Sequence, residues 1–464
     1  MTTERSEVAI IGGGISGLTT AYALARAGVP FTLLESSSRW GGRILTDHVQ
    51  GFLLEGGPDS LFAQKTKSLE LCRELGLEDE LIPAREPRTV YVLKRGRLHA
   101  LPPGLAAGAP QDVPAFLRSR LFSWPAKLRM GLERLVPRRR DGADESIAEF
   151  FRRRLGREAL ALLGDPLLAG IHAGDPERLS LGTTMPVLSD LERRAGSLSR
   201  GLAAARRSST GGPLFYTLRT GLHSMVDALV RRLPPARLRA GTGVHALLRD
   251  GQGYEVQLEH GGSLRVGQVV LAVPAPVGSR ILASLDLDTA AWLLSIPFAP
   301  TATVLMGYRR EDVKHPLDGH GLLIPRGEGL RTTACSFVSS KFAYRVPEGR
   351  VLLRGFIGGV RDAEVLGLGE QGLLSTVRRE LTPLLGLRGE PVVTRVFTWP
   401  ESMPQMETGH RDRMAALDHR LEQWPGLSLI GAGLRGTGIA DAVGDGLRAA
   451  ERLAGVGVGS LQMV

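Results

Sequence analysis

The sequence predicts an α/β protein, α+β overall, with a Rossmann-type domain, an antiparallel-sheet domain and an inserted helical domain. Three observations predict this class: a glycine-rich turn between an apolar strand and an Ala-rich helix at the N-terminus, a second strand–glycine–helix unit at the C-terminus, and a Pro- and Arg-rich helical interruption between them. With 464 residues, the chain is too long for one compact core. Its hydrophobic content of 43% and charged content of 23% are those of a globular protein.

The N-terminal unit has the order β-α-β. We predict a buried strand at Val8–Ile11, a tight turn at Gly12–Gly17, a helix at Leu18–Ala27 and a second strand at Phe31–Leu34. The turn has the spacing G-x-G-x-x-G, which lets the backbone approach a pyrophosphate at the N-terminus of the helix.

Two further features indicate which dinucleotide this unit binds. Glu35 ends the second strand, about 20 residues after the turn, where an acid accepts hydrogen bonds from an adenosine ribose and argues against the 2′-phosphate of NADP. The continuation, Arg39–Arg43, contains Gly41 and Gly42, which let the chain pass close to a cofactor, and Arg43, which can reach its phosphates. A long FAD is therefore favoured over NAD.

The later elements alternate between helical and strand-like patterns. We predict a mostly helical insertion over Ala100–Arg157 and an exposed loop over Ser197–Gly212, which is rich in Ser, Arg and Gly. Short strands separated by glycine turns are predicted over Leu238–Val273. A final strand, Leu427–Ile430, leads into a helix from about Ala442 to Leu453.

Composition limits the other function classes. The two cysteines, Cys72 and Cys335, lack the spacing of a disulfide framework or a metal site and indicate a reducing compartment, and the ten histidines are scattered singly, so no metal is expected. The net charge of +10 suits nucleic acid, an anionic membrane or acidic ligands equally well. No apolar stretch is long enough to span a bilayer, so membrane contact is expected to be peripheral.

Both ends of the chain resemble the flavin amine oxidase and phytoene desaturase superfamily. Gly41–Arg43 follows the first β-α-β unit, and Leu429–Gly433, with Gly438, Ile439 and Gly444–Gly446, is similar to the closing flavin motif. Within the superfamily the chain resembles the oxygen-dependent protoporphyrinogen oxidases. The elements that carry this likeness follow the family order: Glu55–Ser60, Gly170–Pro176, Leu179-Ser180, Gly319–Pro325, Gly355–Gly359, Trp399-Pro400, Met403–Gln405, Gly409 and His410.

The resemblance implies an FAD that is bound without a covalent link, since no cysteine lies near the C-terminal motif. It assigns the cofactor contacts to residues from both ends of the chain and from three segments between them: Gly12, Gly13, Gly14, Ser16, Gly17, Glu35, Ser36, Gly42, Arg43, Gly57, Pro58, Asp59, Ser60, Val244, Trp399, Ala432, Gly438 and Ile439.

The resemblance also implies a reaction: six-electron oxidation of protoporphyrinogen IX to protoporphyrin IX in haem biosynthesis, with molecular oxygen as acceptor. It places Leu323, Phe337 and Phe356 in the apolar walls of the macrocycle site, Gly170 at a close-approach position and Arg95 at a substrate propionate. We expect no catalytic side chain, because the flavin carries the chemistry. Core packing for each apolar residue, and a solvated hairpin turn for Arg95, are the alternatives.

By the same resemblance the chain divides into discontinuous domains: an FAD-binding domain (1–86, 222–283 and 427–464), a substrate-binding domain (87–99, 205–221 and 284–426) and a helical membrane-associating domain (100–204). We expect the helical domain to dock peripherally on an anionic membrane surface at its cytoplasmic side, the protein being otherwise cytoplasmic. The residues expected to dock are Leu117, Leu121, Phe122, Trp124, Leu128 and Leu132 beside Arg118, Arg120, Lys127 and Arg129.

Further expected partners are the next enzyme of the haem pathway and a second copy of the chain in a homodimer. Packing of the helical segment on the protein's own core is the alternative to membrane docking. A coproporphyrinogen III oxidase that forms coproporphyrin, a carotene desaturase and an amine oxidase are alternatives of the same fold. A basic nucleic-acid-binding or scaffold protein is the alternative of another class, but only 5% of residues are aromatic, so we expect no nucleic acid partner.

Overall fold

The computed structural model describes residues 3–106, 108–139, 141–208 and 212–455. Its strands, numbered in chain order, are β1 (Thr3–Ile11), β2 (Phe31–Leu34), β3 (Thr46–Val49), β4 (Phe52–Glu55), β5 (Leu61–Phe62), β6 (Leu81–Pro83), β7 (Val90–Lys94), β8 (Arg97–Ala100), β9 (Leu105–Ala106), β10 (Ala109–Pro110), β11 (Phe215–Leu218), β12 (Leu238–Arg239), β13 (Val244–Asp250), β14 (Gly253–Leu258), β15 (Ser263–Leu271), β16 (Phe298–Arg309), β17 (Gly321–Leu323), β18 (Thr332–Phe337), β19 (Arg350–Gly358), β20 (Val393–Pro404) and β21 (Leu427–Leu429).

The α-helices are α1 (Ile15–Arg26), α2 (Lys67–Glu74), α3 (Val113–Arg118), α4 (Trp124–Gly131), α5 (Ile147–Arg154), α6 (Arg157–Ala159), α7 (Asp165–His172), α8 (Leu181–Thr184), α9 (Pro186–Ala195), α10 (Leu198–Ser208), α11 (His223–Arg232), α12 (Ala275–Leu282), α13 (Leu287–Leu294), α14 (Val338–Lys341), α15 (Gly369–Leu385), α16 (His410–Leu421) and α17 (Ile439–Leu453). A π-helical turn, Leu160–Gly164, precedes α7. Short 3₁₀ turns occur at Glu78–Glu80, Leu132–Leu135, Pro235–Arg237, Arg310–Asp312, Arg326–Glu328 and Ala363–Leu368.

The first large sheet has the strand order β12-β2-β1-β15-β14-β13, with β21 paired to β15. Its centre is parallel: β1 pairs with β2 and β15, and β15 pairs with β21. Strands from all three segments predicted for the FAD-binding domain therefore meet in one sheet, although residues 456–464 of that prediction lie outside the described residues. The predicted Rossmann-type α/β class is confirmed, and the closing helix begins at Ile439, three residues before its predicted start.

The second large sheet has the order β20-β16-β19-β18-β17-β7-β8. Apart from the parallel β7–β17 pair, its neighbours are antiparallel, as predicted for the second domain. Helix α15 contributes Leu373, Val377 and Leu381 to a buried core against one face. One strand departs from the predicted division: β11, placed with the substrate domain, pairs with β5 and β6 near the N-terminal unit.

The helical insertion has its own apolar core, and two predictions about it are wrong. Ser197–Gly212 is not a loop over its described length: Leu198–Ser208 is a helix, because Leu198 is buried in that core. Leu121 and Phe122 are also core residues, with exposures of 0% and 3%. They precede α4, whose first turn is capped by Ser123, and so do not share its outer face. Leu117, Trp124, Leu128 and Leu132 are exposed as predicted.

Candidate active site

The turn after β1 brings glycines against neighbouring backbone. Gly12 has a φ of +109°, and a Cβ there would lie 2.5 Å from Ala272 O. A Cβ on Gly17 would lie 2.0 Å from Gly12 O, so the approach of α1 to the turn requires glycine. Around Gly14, by contrast, no atom of the described residues lies within 4 Å of the Cβ position, apart from the chain next to Gly14 itself. This side of the turn, at the N-terminus of α1, is therefore open to a phosphate.

Glu35 is held at the end of β2 by the same turn. Its carboxylate accepts hydrogen bonds from Gly13 N (2.7 Å), Ser37 N (2.8 Å) and Ser37 Oγ (2.8 Å). The exposed Ser36 lies beside it, with Oγ 3.4 Å from Oε1. The backbone N–H of Glu35 donates to Arg239 O. The acid is thus fixed by backbone donors while its side chain stays partly accessible.

The Gly-Gly-Arg element lies directly against this turn. Gly41 and Gly42 have φ values of +100° and +57°, and Gly41 N donates to Gly13 O at 2.8 Å. A Cβ on Gly42 would lie 3.2 Å from the Cα of Gly14, so the loop runs beside the open phosphate side. The guanidinium of Arg43 donates to Glu401 O. Its predicted phosphate contact stays a prediction.

The segment after β4 connects the two large sheets. A Cβ on Gly57 would lie 1.8 Å from Arg43 O, so Gly57 packs on the Gly-Gly-Arg element. The carbonyl of Gly56 accepts from Trp399 Nε1 at 3.1 Å and from Thr303 Oγ1 at 2.9 Å. The predicted residues Gly57 and Trp399 are thereby brought to one place. Pro58 follows, partly accessible.

Asp59 belongs to a largely buried ionic cluster at this junction, in which the side chains of Asp59, Lys341 and Arg354 are 14%, 12% and 5% exposed. Its carboxylate accepts from Lys341 Nζ at 3.0 Å and from Ser60 Oγ at 2.7 Å, and Arg354 NH1 lies 3.7 Å away. Burial favours the neutral acid, but Lys341 and Arg354 outweigh it and hold the pKa of Asp59 well below its usual range. Arg354 also donates to Gly57 O, and its guanidinium carbon lies 4.9 Å from the ring centroid of Phe356.

The C-terminal unit packs against the N-terminal unit. Helix α17 approaches α1 so closely that a Cβ on Gly446 would lie 2.6 Å from Ser16 O. The hydroxyl of Thr20 donates to the carbonyl oxygens of Ser16 and Gly446 and so links the two helices. Ile430 N donates to Leu271 O at 3.0 Å, which sets the Gly431–Gly433 turn beside the first one. The predicted residues Ala432, Gly438 and Ile439 lie in this turn and at the start of α17, whereas Val244 begins β13 in the core.

Three predicted substrate residues lie around one surface of the second sheet. A Cβ on Gly170, in α7, would lie 3.4 Å from Ala334 Cβ and 3.6 Å from Leu323 Cδ2. Ala334 pairs across the ladder with Leu323 on one side and with Phe356 on the other. Gly170, Leu323 and Phe356 therefore border a common wall, and Gly170 allows the helix to approach it.

Phe337 is not part of this wall, and its predicted contact with substrate is wrong. Its ring is fully buried on the opposite face, where it packs with Leu353 and lies 5.3 Å from the His315 ring. Successive strand residues point to opposite faces, so a shift of one position reverses the side. Ser336 occupies the face shared with Ala334, whereas Cys335 and Phe337 face α15.

Arg95 lies at the turn between β7 and β8. Its φ is +52°, its side chain is exposed, and its backbone N–H donates to Glu328 Oε1 at 2.7 Å. Gly96 N donates to the other oxygen of the same carboxylate at 3.0 Å. The hairpin is thus fastened to the segment that follows β17, and Leu323 ends that strand. A propionate contact of Arg95 stays a prediction.

The profile of the family described as flavin containing amine oxidoreductase matches residues 15–454. The chain belongs to this family. Two similar proteins are the coproporphyrinogen III oxidase of Bacillus subtilis (strain 168), 33% identical over 96% of this chain and 97% of its own length, and the chloroplastic protoporphyrinogen oxidase of Oryza sativa subsp. japonica, 32% identical over 94% and 86%. A crystal structure from Exiguobacterium sp. 255-15, of a protein assigned as a protoporphyrinogen oxidase, superposes with a TM-score of 0.87 at 30% identity, covering 98% of this chain and 99% of that one.

Membership of the flavin-containing amine oxidoreductases identifies the protein as a flavin oxidoreductase and confirms the resemblance read from the sequence. Within the residues described, no helix is both long and apolar enough to cross a membrane. The same part of the chain contains no cluster of His, Cys, Asp and Glu side chains suited to a metal ion.

Sequence reasoning missed three features of the site of this flavin oxidoreductase. Lys341 and Arg354 come from α14 and β19, and only the tertiary structure brings them to Asp59. His172 follows Gly170 by two residues at the end of α7, and its electrostatic neighbour is Lys65. The one available signal was its proximity to Gly170 in the sequence.

Proposed function

We propose that the protein is an FAD-dependent porphyrinogen oxidase that removes six electrons from protoporphyrinogen IX to give protoporphyrin IX, with molecular oxygen as final acceptor. The observation that carries the proposal is the wall bordered by Gly170, Leu323 and Phe356, which is joined to the flavin half of the molecule through Arg354 and Gly57. A flat macrocycle requires such an apolar surface with one position of close approach. The names of the similar proteins point to the same substrate class.

FAD fits the residues present. Glu35 is available to the adenosine ribose, the open side of Gly14 to the pyrophosphate, and the N-terminus of α17 to the electron-rich end of a flavin ring. Non-covalent binding is supported by both thiols: Cys72 and Cys335 are buried, and burial raises the pKa of each to about 12. Both side chains lie within apolar cores of the protein.

When bound, the flavin supplies hydride acceptance. The chain's own contribution is to position the macrocycle and to keep water away from it. Phe356 and Leu323 supply apolar surface, and Gly170 leaves room for the ring edge. Arg354 holds both Gly57 and the Phe356 ring, so the cofactor loop and the substrate wall keep a fixed relation.

Coproporphyrinogen III is a second candidate substrate. The observation that favours it is the near-complete mutual coverage with the Bacillus coproporphyrinogen III oxidase, 96% of this chain and 97% of that protein. The two substrates differ at two ring positions, which carry vinyl groups in one and propionates in the other. Cations at the mouth of the site, such as Arg95, would therefore contribute more to binding of the four-propionate substrate.

The test is a side-by-side assay of the purified protein. Acid precipitation should leave FAD in the supernatant, and fluorescence should appear with protoporphyrinogen IX faster than with coproporphyrinogen III at equal concentration. A preference for coproporphyrinogen III selects the second candidate. Flavoprotein that oxidises neither compound overturns the proposal.

We also propose that the helical insertion docks on an anionic bilayer. Its exposed apolar side chains, here called the patch, are Val113, Leu117, Trp124, Leu128, Leu132 and Leu135, and Leu128 and Trp124 are 67% and 68% exposed. Arg118 and Arg120 are exposed in the same segment and suit anionic headgroups. Each such contact contributes about 1 kcal/mol of binding free energy. Lys127 instead lies with Nζ 4.4 Å from the Trp124 ring centroid and donates to Leu117 O, so it holds the patch together.

Liposome flotation tests the docking with a matched pair of variants. Trp124→Ser with Leu128→Ser should lower the bound fraction on anionic vesicles. Leu287→Ser with Leu294→Ser, which removes similarly exposed leucines (73% and 65%) from α13, should not. Equal binding by both double variants would show that the insertion is not the docking surface.

A further inference from the structure

Helix α7 joins the helical insertion to the apolar wall of the second sheet. It follows the π-helical turn directly and ends at Ala173, whose φ of +49° turns the chain out of the helix. Within α7, Leu168 is buried in the core of the insertion. Gly170 approaches the wall at Leu323 and Ala334. The position of this helix therefore decides how much room is left beside the wall.

Arg361 binds both ends of this helix. Its NH1 donates to Oδ1 of Asp165, in the first turn of α7, and its NH2 donates at 2.6 Å to Oδ1 of Asp175, which lies just after the helix. The guanidinium is planar and directs its N–H groups in fixed directions, so one arginine can hold two carboxylates at a set separation. The side chains of Asp165, Asp175 and Arg361 are 12%, 23% and 24% exposed, so salt screens these pairs less than fully exposed ones.

The chain that leads to Arg361 comes from the wall itself. Strand β19 carries Phe356 and ends two residues after it. Gly359 follows with a φ of +107°, and a Cβ there would lie 2.7 Å from Ala173 O. Val360 N donates to the same carbonyl at 3.0 Å. The backbone after Phe356 thus contacts the end of α7, and the guanidinium of Arg361 adds a contact with its start.

We propose that Arg361 is a positioning residue for the porphyrinogen. By holding α7 at both ends, it fixes the distance between the helix and the strand of Phe356, and so the width of the space that the macrocycle enters. The inference rests on the proposed function. Arg361 acts through α7 and does not itself contact the substrate.

The width of this space affects both binding and rate. A flat ring gains dispersion energy only from surfaces at van der Waals distance, and a gap of about 0.5–1 Å already loses a quarter to a half of that energy. A displacement of about 1 Å can also lower a rate on the order of 100-fold, because the reacting atoms lose their alignment. Loss of the Arg361 contacts should therefore weaken the grip on the macrocycle without emptying the core of the protein.

The experiment compares Arg361→Gln with Arg331→Gln as the matched control. Arg331 forms an ion pair in the same loop, with Asp362, but that pair ties the loop to the start of β18 instead of α7. Flavin content, melting temperature, KM and kcat are measured for each variant, together with the Kd of protoporphyrin and coproporphyrin by fluorescence titration.

We expect Arg361→Gln to raise KM and the porphyrin Kd about tenfold while kcat changes less, the pattern of lost binding. Its flavin content and melting temperature should match those of Arg331→Gln, which should keep KM and Kd within twofold of wild type. Porphyrin binding is measured without turnover, so it separates positioning of the macrocycle from any effect on the flavin.

A second variant, Asp175→Asn, removes the charge of one partner of Arg361. It should raise KM and the porphyrin Kd by less than Arg361→Gln does. The combined variant should resemble Arg361→Gln alone, because both changes remove the same contact. Should Arg361→Gln fail to fold, Asp175→Asn against Arg331→Gln decides the question.

KM and porphyrin Kd within twofold of the Arg331→Gln values overturn the inference. So does a loss of melting temperature or flavin with unchanged porphyrin binding, since a purely structural contact would give that result, and so do additive effects in the combined variant. Wild-type flavoprotein that oxidises neither porphyrinogen overturns the proposed function and this inference with it. Active wild type with unaffected porphyrin binding in Arg361→Gln overturns this inference alone.

Discussion

In the flavin half of the molecule, backbone meets backbone, whereas in the substrate half the site is made by side chains from distant strands. Gly12, Gly17 and Gly57 each lie where a Cβ would touch a carbonyl oxygen or its neighbour. The wall of the second sheet instead depends on which face of a strand Leu323 and Phe356 occupy. Close backbone packing can be recognised in the sequence because it requires glycine. The sheet face that a strand residue occupies cannot be recognised in this way.

The comparison is tested most strongly by the two phenylalanines. Phe337→Ala should lower the free energy of unfolding by about 3–5 kcal/mol, because it empties a fully buried position. Phe356→Ala should cost less stability and raise KM for the porphyrinogen. Denaturant unfolding and steady-state kinetics separate the two effects, and a raised KM in Phe337→Ala with normal stability would restore that residue to the wall.

The second largest effect on stability is expected at the ionic cluster of Asp59, Lys341 and Arg354, which joins the two halves of the molecule. Asp59→Asn should lower the free energy of unfolding by about 3–5 kcal/mol, since it leaves the largely buried Lys341 (12% exposed) without its charge partner. A second change, Lys341→Met, should recover part of the loss.

The same cluster predicts a pH dependence. The pKa of Asp59 is depressed in the folded state, so its stabilisation is fully present above the unfolded value of about 3.9 and is lost as pH falls toward the folded value. Wild type and Asp59→Asn should therefore differ in melting temperature at pH 6 and converge only at strongly acidic pH. Convergence already near pH 5 would contradict the pairing.

Two glycines in one turn should respond differently. Gly17→Ala should destabilise even the flavin-free protein, by about 1–3 kcal/mol, because its Cβ meets Gly12 O at 2.0 Å. In Gly14→Ala the new Cβ has no atom of another described segment within 4 Å, so the change should leave the stability of the flavin-free protein the same and weaken flavin binding. Equal melting curves for the two flavin-free variants would contradict the assignment of Gly17 to backbone packing and Gly14 to flavin binding.

Glu35→Ala should weaken flavin retention by about 1–3 kcal/mol through loss of charge-assisted hydrogen bonds. Titration of the flavin-free protein with FAD measures it, with the exposed Ser38→Ala as control. If Glu35→Ala binds FAD with unchanged affinity, Glu35 does not contact the cofactor and serves only to bind Gly13 and Ser37.

The smallest effect is expected at Arg95. Arg95→Ala should raise KM a few-fold and change kcat less, the pattern of lost uniform binding. Arg97→Ala, exposed on the same hairpin, is the control. If KM is the same in both variants, the hairpin turn is only solvated surface.

The sequence alone determined the first β-α-β unit, the closing strand–glycine–helix unit and the family. These follow from local spacing, because a turn, a helix start and a close helix contact each restrict the residue types within a few positions. β2 has the predicted bounds, Phe31–Leu34. The boundaries of the helical insertion were less accurate: Leu198–Ser208 looked like a polar loop because only the tertiary core gives Leu198 a partner.

Only the tertiary structure decided the substrate half. It placed Phe337 on the core face and Ser336 on the site face, a choice that reverses with a shift of one residue. It also brought together Asp59 with Lys341, and Gly170 with Leu323, pairs that are more than 150 residues apart in the chain. Chemistry carried by one turn can be read from adjacent residues, but chemistry shared between strands depends on register and packing, which no local pattern specifies.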